Sequence, residues 1–190
     1  MRASLREIKP TSAYRLAFLL LLIVFMALAS LSVKAAEQPR NPSAHFFEQS
    51  FGDYQDELQS AAKSGKKGVL IMFVQDECPF CEKMKATVLN QPTVQDFYRK
   101  NFKIFEVDIY ASQAVKDFAG REMPQRQFAL AHRARLTPTF VFVGPDGKEM
   151  ARFTGFADQQ TFMLLGQFVA SGAYKTDNFI NYKRNRAQSS

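Results

Sequence analysis

The sequence predicts a mixed α/β domain, a central sheet covered on both faces by helices. Three observations carry that expectation. Val69-Leu70-Ile71-Met72-Phe73-Val74 is apolar without interruption, and Phe140-Val141-Phe142-Val143 repeats the pattern far downstream. Runs of this kind suit strands buried on both faces, as in a parallel or mixed sheet. The third observation is local: Cys78-Pro79-Phe80-Cys81 follows the first run, and Cys81, Met84, Val88 and Leu89 then recur at helical spacing. A strand therefore leads through a tight junction into a helix, with both cysteines of the chain at the junction.

The chain opens with a polar, positively charged stretch, Met1 to Arg15, followed by fourteen apolar residues, Leu16 to Ala29. As a helix these would span about 21 Å, short of the ~30 Å hydrocarbon core of a bilayer. Small residues follow from Ser30 to Ala36, with Val33 and Ala35 at the −3 and −1 positions of a cut before Ala36. Residues 1–35 thus have the layout of a secretory signal peptide. An uncleaved anchor is the alternative, since Leu31 and Val33 can lengthen the apolar run. Either places the domain outside the cytoplasm, where cysteine pairs can cycle through disulfides.

Residues 36–45 read as a linker, with prolines at 39 and 42. The domain is expected over residues 46–173. An amphipathic helix from Phe47 would present Phe47, Phe51, Tyr54, Leu58 and Ala61 on one face and stop at Gly65. After the cysteine helix, Asn90-Gln91-Pro92 marks a break, and Pro92 suits the first turn of a helix carrying Val94, Phe97 and Tyr98. Ile104 to Ile109 is the next strand. Residues 111–135 read as two short helices broken near Pro124, with His132 as a surface or helix-capping residue. Gly144-Pro145-Asp146-Gly147 is a hairpin turn by composition, returning the chain antiparallel from Glu149 to Phe153. Asp158 can cap a last helix whose buried face is Phe162, Leu165 and Val169, ending near Gly172. The basic tail, residues 174–190, reads as solvated and frayed.

Composition narrows the function classes. With 46% hydrophobic and 23% charged residues the chain is globular. The net charge of +7 is partly the leader's, for beyond residue 35 there remain 20 basic and 17 acidic side chains. Such a balance does not suggest a nucleic-acid surface.

The cysteine pair admits three readings. A helix start concentrates unpaired N–H groups and the positive dipole end, which favour a thiolate, so a redox dithiol is the leading one. An inert staple is the second, but a loop of about four residues constrains little, roughly 2 kcal/mol against ~3 kcal/mol for fifteen. A metal site is the third; it needs about four ligands, and the only histidines, His45 and His132, lie dozens of residues away.

The order of elements, with Cys78-Pro79-Phe80-Cys81, Thr137-Pro138-Thr139-Phe140, Gly144-Pro145-Asp146-Gly147-Lys148 and Gly155-Phe156 in sequence, resembles a periplasmic thioredoxin-like protein of the SoxW type. The likeness spans about Val69 to Gly172. It implies a thioredoxin fold with an added N-terminal helix and a helical insert before the strand that a cis-proline opens. It implies a thiol–disulfide oxidoreductase with no cofactor beyond its dithiol and no metal. Cys78 would attack and Cys81 resolve. Pro138 would be the cis-proline facing them, with Thr137, Pro79 and Phe80 contacting an extended substrate. Protein or small thiol and disulfide substrates are implied, with a membrane electron donor of the DsbD or CcdA type. A disulfide oxidase or isomerase, or a non-catalytic binding module, are the alternatives.

The sequence also departs from cytoplasmic thioredoxins. Glu77 stands where they carry an aromatic residue, Pro79-Phe80 where they carry Gly-Pro, and Met72 where they carry a buried Asp. Something other than that Asp must deprotonate Cys81; Glu77, Glu82 and water are the candidates. Asp76, Glu77 and Glu82 surround the pair with negative charge, and helical geometry points Lys83 and Lys85 away from residue 78. That pattern opposes an extra anion at Cys78 and favours a reductase over an oxidase.

Overall fold

The computed structural model describes residues 38–188. The signal-peptide or anchor expectation, residues 1–35, lies outside the described residues.

Four strands form the central sheet in the order β2-β1-β5-β6. β1 (Gly68–Val74) runs parallel to β2 (Phe102–Asp108) and antiparallel to β5 (Thr139–Val143), which pairs antiparallel with β6 (Glu149–Thr154). All seven residues of β1 are buried, as its unbroken apolar run predicts. Period-two alternation then splits its side chains between two cores. Leu70, Met72 and Val74 join Phe102, Ile104, Phe140 and Phe142 on one face, while Val69, Ile71 and Phe73 join Phe105, Val107, Val141 and Val143 on the other.

Helices close each face. The first core is covered by α3 (Pro79–Met84), by α4 (Pro92–Asn101) and by α6 (Gln159–Ala170). The second is covered by α2 (Tyr54–Lys63) and α5 (Gln125–Ala131). The mixed sheet and its helical layers are those the sequence predicts. Asp158 caps α6 by accepting from the Thr161 N–H at 2.7 Å, and Phe162, Leu165 and Val169 form its buried face. The turn at 144–147 closes with the Gly147 N–H donating to the Gly144 carbonyl at 2.9 Å.

Four expectations are corrected. The stretch expected as a linker is docked from Arg40 onward. The Arg40 N–H donates to the Asn90 carbonyl at 2.8 Å, Arg40 pairs with Asp96 at 2.7 Å, and α1 (Pro42–His45) is a single turn capped by Asn41. The first long helix begins at Tyr54, not Phe47. Gly52 takes φ +84°, and Asp53 caps the helix by accepting from the Asp56 N–H. Phe46 and Phe47 are buried ahead of it, whereas Phe51 is wholly exposed.

The helical insert is half strand. β3 (Ala114–Lys116) and β4 (Glu122–Pro124) form a hairpin, and only α5 is helical. The hairpin turn is built by Asp117, whose carboxylate accepts from the N–H groups of Ala119 and Arg121, each at 2.9 Å. Finally, the tail is not frayed through residue 188: it forms α7 (Phe179–Gln188). Phe179 and Tyr182 set their rings against Phe168 of α6, with centroids 5.7 and 5.2 Å apart.

His132 caps the C-terminal end of α5, as one of its two expected roles. Its ring sits among Phe73, Phe118 and Phe128, at centroid distances of 5.9, 5.7 and 4.7 Å. Burial therefore holds its pKa below the ordinary value, with Glu149 partly opposing the shift. The unfolded chain thus takes up this proton more readily than the folded one. Stability should fall as pH drops through about 6.5 and level off below the folded-state pKa. Urea unfolding of wild type and His132→Leu at pH 8 and pH 5 checks this. The variant should lose less stability between the two conditions; an equal loss would place the acid sensitivity elsewhere.

Candidate active site

β1, an interior strand, ends at Val74, and three residues carry the chain to Cys78. Glu77 turns it with φ +53°, a left-handed conformation uncommon for a residue with a side chain. Cys78 is the N-cap of α3 and Pro79 opens the first turn, where its missing N–H costs nothing. Beyond Met84 the helix widens into one π turn, Lys85–Leu89, before ending ahead of Pro92.

Cys78 and Cys81 are joined as a disulfide, with Cα atoms 5.2 Å apart. The two cysteines differ little in exposure, 6% for Cys78 against 2% for Cys81. The difference lies in their partners. The Cys78 sulfur accepts the Cys81 backbone N–H at 3.2 Å and the Thr137 hydroxyl at 3.2 Å. The Thr137–Pro138 peptide is cis, and the Gly155 N–H donates to the Pro138 carbonyl at 2.8 Å, tying this loop to the end of β6. The resemblance implies that Thr137 contacts an extended substrate; its hydroxyl contact to sulfur needs the loop and α3 in register, which no local pattern signals.

A pocket of about 700 Å³ opens beside the pair, lined by Cys78, Pro79, Cys81 and the side chains of Asp76, Glu77, Glu82, Lys85, Glu106 and Asp108. Phe80 is 57% exposed and is not part of this wall, and Leu136, just before Thr137, is likewise exposed. Lys83 is engaged elsewhere, its ammonium 4.3 Å from the centre of the Phe156 ring. Lys85, expected to point away from Cys78, does line the pocket, and it pairs there with Glu106 at 2.8 Å and Glu82 at 3.7 Å. Glu106 and Asp108 were not singled out in the sequence, because only strand pairing brings β2 beside the cysteines. Among the described residues, no group of three or more His, Cys, Asp or Glu could hold a metal ion.

These contacts set a balance at the reduced sulfur. A hydrogen bond to a charged group contributes about 1.5–3 kcal/mol, whereas an exposed charge pair contributes about 0–1 kcal/mol. In the reduced protein the two donors at Cys78 would favour a thiolate there, and the carboxylates around the pocket would oppose it.

A family model for the thioredoxin-like domain matches residues 54–170. Among solved structures, a thioredoxin-fold protein from Helicobacter pylori is 20% identical, with a TM-score of 0.58 over 66% of this chain and 88% of its own. A thioredoxin from Thermus thermophilus is 25% identical, with a TM-score of 0.50 over 62% of this chain and 83% of its own. No curated protein matches the sequence significantly.

The hydroxyl at Cys78 gives a direct test. Thr137→Val removes one of two donors, which should raise the pH midpoint for alkylation of reduced Cys78 by about one unit. Iodoacetamide kinetics across pH would measure it. An unchanged midpoint would mean that the hydroxyl does not serve the thiolate.

Proposed function

Because the chain belongs to the thioredoxin-like domain family, we propose that it is an exported thiol–disulfide oxidoreductase that works as a reductase on protein or small-molecule disulfides. The observation that carries this reading is the Cys78 sulfur, which faces the pocket with two donors aimed at it and Cys81 bonded behind it.

In the reduced enzyme the Cys78 thiolate attacks one sulfur of a substrate disulfide. A Cys78–substrate bond forms, the substrate S–S bond breaks, and the departing thiolate takes a proton. Cys81 then loses its proton and attacks the Cys78 sulfur, releasing the second substrate thiol. The product is the Cys78–Cys81 disulfide present in the structure. Two electrons have passed to the substrate, and an external dithiol must return them. A membrane donor of the DsbD or CcdA type fits an exported protein whose leader has the layout of a signal peptide.

The acidic wall favours the reductase direction. A pair becomes strongly oxidising when its reduced thiolate is unusually stabilised. Here Pro79 and Phe80 between the cysteines offer no charge, and carboxylates crowd the pocket. An extended substrate segment would meet the exposed Pro79 and Phe80 and the half-buried Thr137, with the buried Pro138 shaping the loop behind them and the Phe80 ring as the apolar contact.

Trapping separates the two sulfurs. Cys81→Ser should accumulate covalent complexes with disulfide substrates, and Cys78→Ser should trap about tenfold less or none. Reduction of insulin by wild type with dithiothreitol should exceed the dithiothreitol background, and both variants should lose that excess. Equal trapping by the two variants would overturn the assigned roles, and no excess in wild type would favour a binding module.

A further inference from the structure

Resting on the dithiol reading, we propose that Glu106, held by Lys85, is the base that takes the proton from Cys81 when the mixed disulfide resolves. Glu106 lies opposite Met72 in the parallel β1–β2 register. Its strand neighbours on the same face, Phe102 and Ile104, belong to the core that also holds Leu70, Met72, Phe140, Phe142 and Cys81. At the end of β2 this apolar row turns acidic, at Glu106 and Asp108, beneath the helix that carries the cysteines. Asp108 is occupied with its own turn, accepting from the Tyr110 N–H at 2.8 Å. Glu106 instead meets Lys85 at 2.8 Å, with a third of its side chain open to the pocket.

Lys85 links this carboxylate to the sulfur. The Lys85 N–H donates to the Cys81 carbonyl, so the two residues are one α-helical turn apart and share a face of α3. Cys81, Lys85 and Glu106 line the same pocket. The other carboxylates fit less well. Glu82 has 75% of its side chain exposed, and Asp76 and Glu77 lie on the exposed loop before Cys78.

Charge explains why the pair suits the step. Cys81 is 2% exposed, and burial disfavours a thiolate. When the S–H proton passes to Glu106, across the pocket or through one bridging water, the negative charge moves from carboxylate to sulfur. Lys85 is the counter-ion before and after, so the local net charge does not change. The thiolate attacks the Cys78 sulfur, the substrate sulfur leaves with the bonding electrons, and the proton on Glu106 can neutralise it. Protons and electrons balance with no further reactant.

Stopped-flow reaction of the reduced enzyme with 5,5′-dithiobis(2-nitrobenzoate) separates the steps. Attack by Cys78 releases one thionitrobenzoate, and resolution by Cys81 releases the second. Glu106→Gln should leave the first phase within about twofold and slow the second about a hundredfold near neutral pH, with Glu106→Asp recovering part of the loss. Lys85→Met, which keeps the carboxylate, should move the midpoint of the second phase to higher pH. A second phase in Glu106→Gln that is unchanged would overturn the proposal. So would one that is faster with its midpoint at lower pH, because an unpaired Lys85 would then act only as a charge favouring the thiolate. An unchanged midpoint in Lys85→Met would overturn it equally, and does not depend on the folding of a Glu106 variant. Wild type that releases only one thionitrobenzoate would instead sink the dithiol reading itself.

Discussion

β1 is hydrogen-bonded along both edges and covered on both faces, so all seven of its residues are buried. That placement requires an unbroken apolar run, and it requires the strand to end where the sheet ends. The next residues must turn sharply and start a helix that lies back over the sheet, since Met84, Val88 and Leu89 have to reach the core beneath it. Cys78 and Cys81 ride on that return. Their position is set by the burial of β1 and α3, not by any contact the sulfurs make with each other. The same strand brings the other parts in: β5 starts at Thr139, so Thr137 arrives at the Cys78 sulfur, and β2 runs parallel, so Glu106 arrives below α3.

The resulting site asks different things of its two sulfurs. In the proposed reaction Cys78 attacks as a thiolate, and two hydrogen-bond donors meet its sulfur. Cys81 needs to stay protonated until a mixed disulfide exists and then to lose its proton quickly. On the proposal made above, burial opposes the Cys81 anion, and the Lys85–Glu106 pair lining the same pocket would provide a route to it. The proposed reductase direction rests on the surrounding carboxylates, since the strongly oxidising extreme needs a much more stabilised thiolate.

How much of this was legible in the sequence follows from the range of each interaction. The Cys78-Pro79-Phe80-Cys81 junction, the apolar run before it, the Asp158 cap and the turn at Gly144 to Gly147 are patterns within a few residues, and each stands in the structure where its pattern placed it. The misread segments depend on distant partners. Phe47 and Phe51 fit the helical spacing of Tyr54, Leu58 and Ala61, yet Gly52 and the Asp53 cap start the helix later. The 114–124 hairpin has only three residues per strand and a turn held by one aspartate, too short for alternation to register. The C-terminal helix has no buried residue, so its polar composition hid the contact of Phe179 and Tyr182 with Phe168. Glu106 carries no local signal among Phe105 and Val107, and only strand pairing sets it opposite Met72.

The central claim is that this dithiol donates electrons, and its reduction potential tests that most directly. Equilibration of the Cys78/Cys81 pair against glutathione buffers, read by the fraction of protein alkylated, should give a value nearer about −270 mV than about −120 mV. A potential above about −150 mV would contradict the account, and would make the protein an oxidant of thiols.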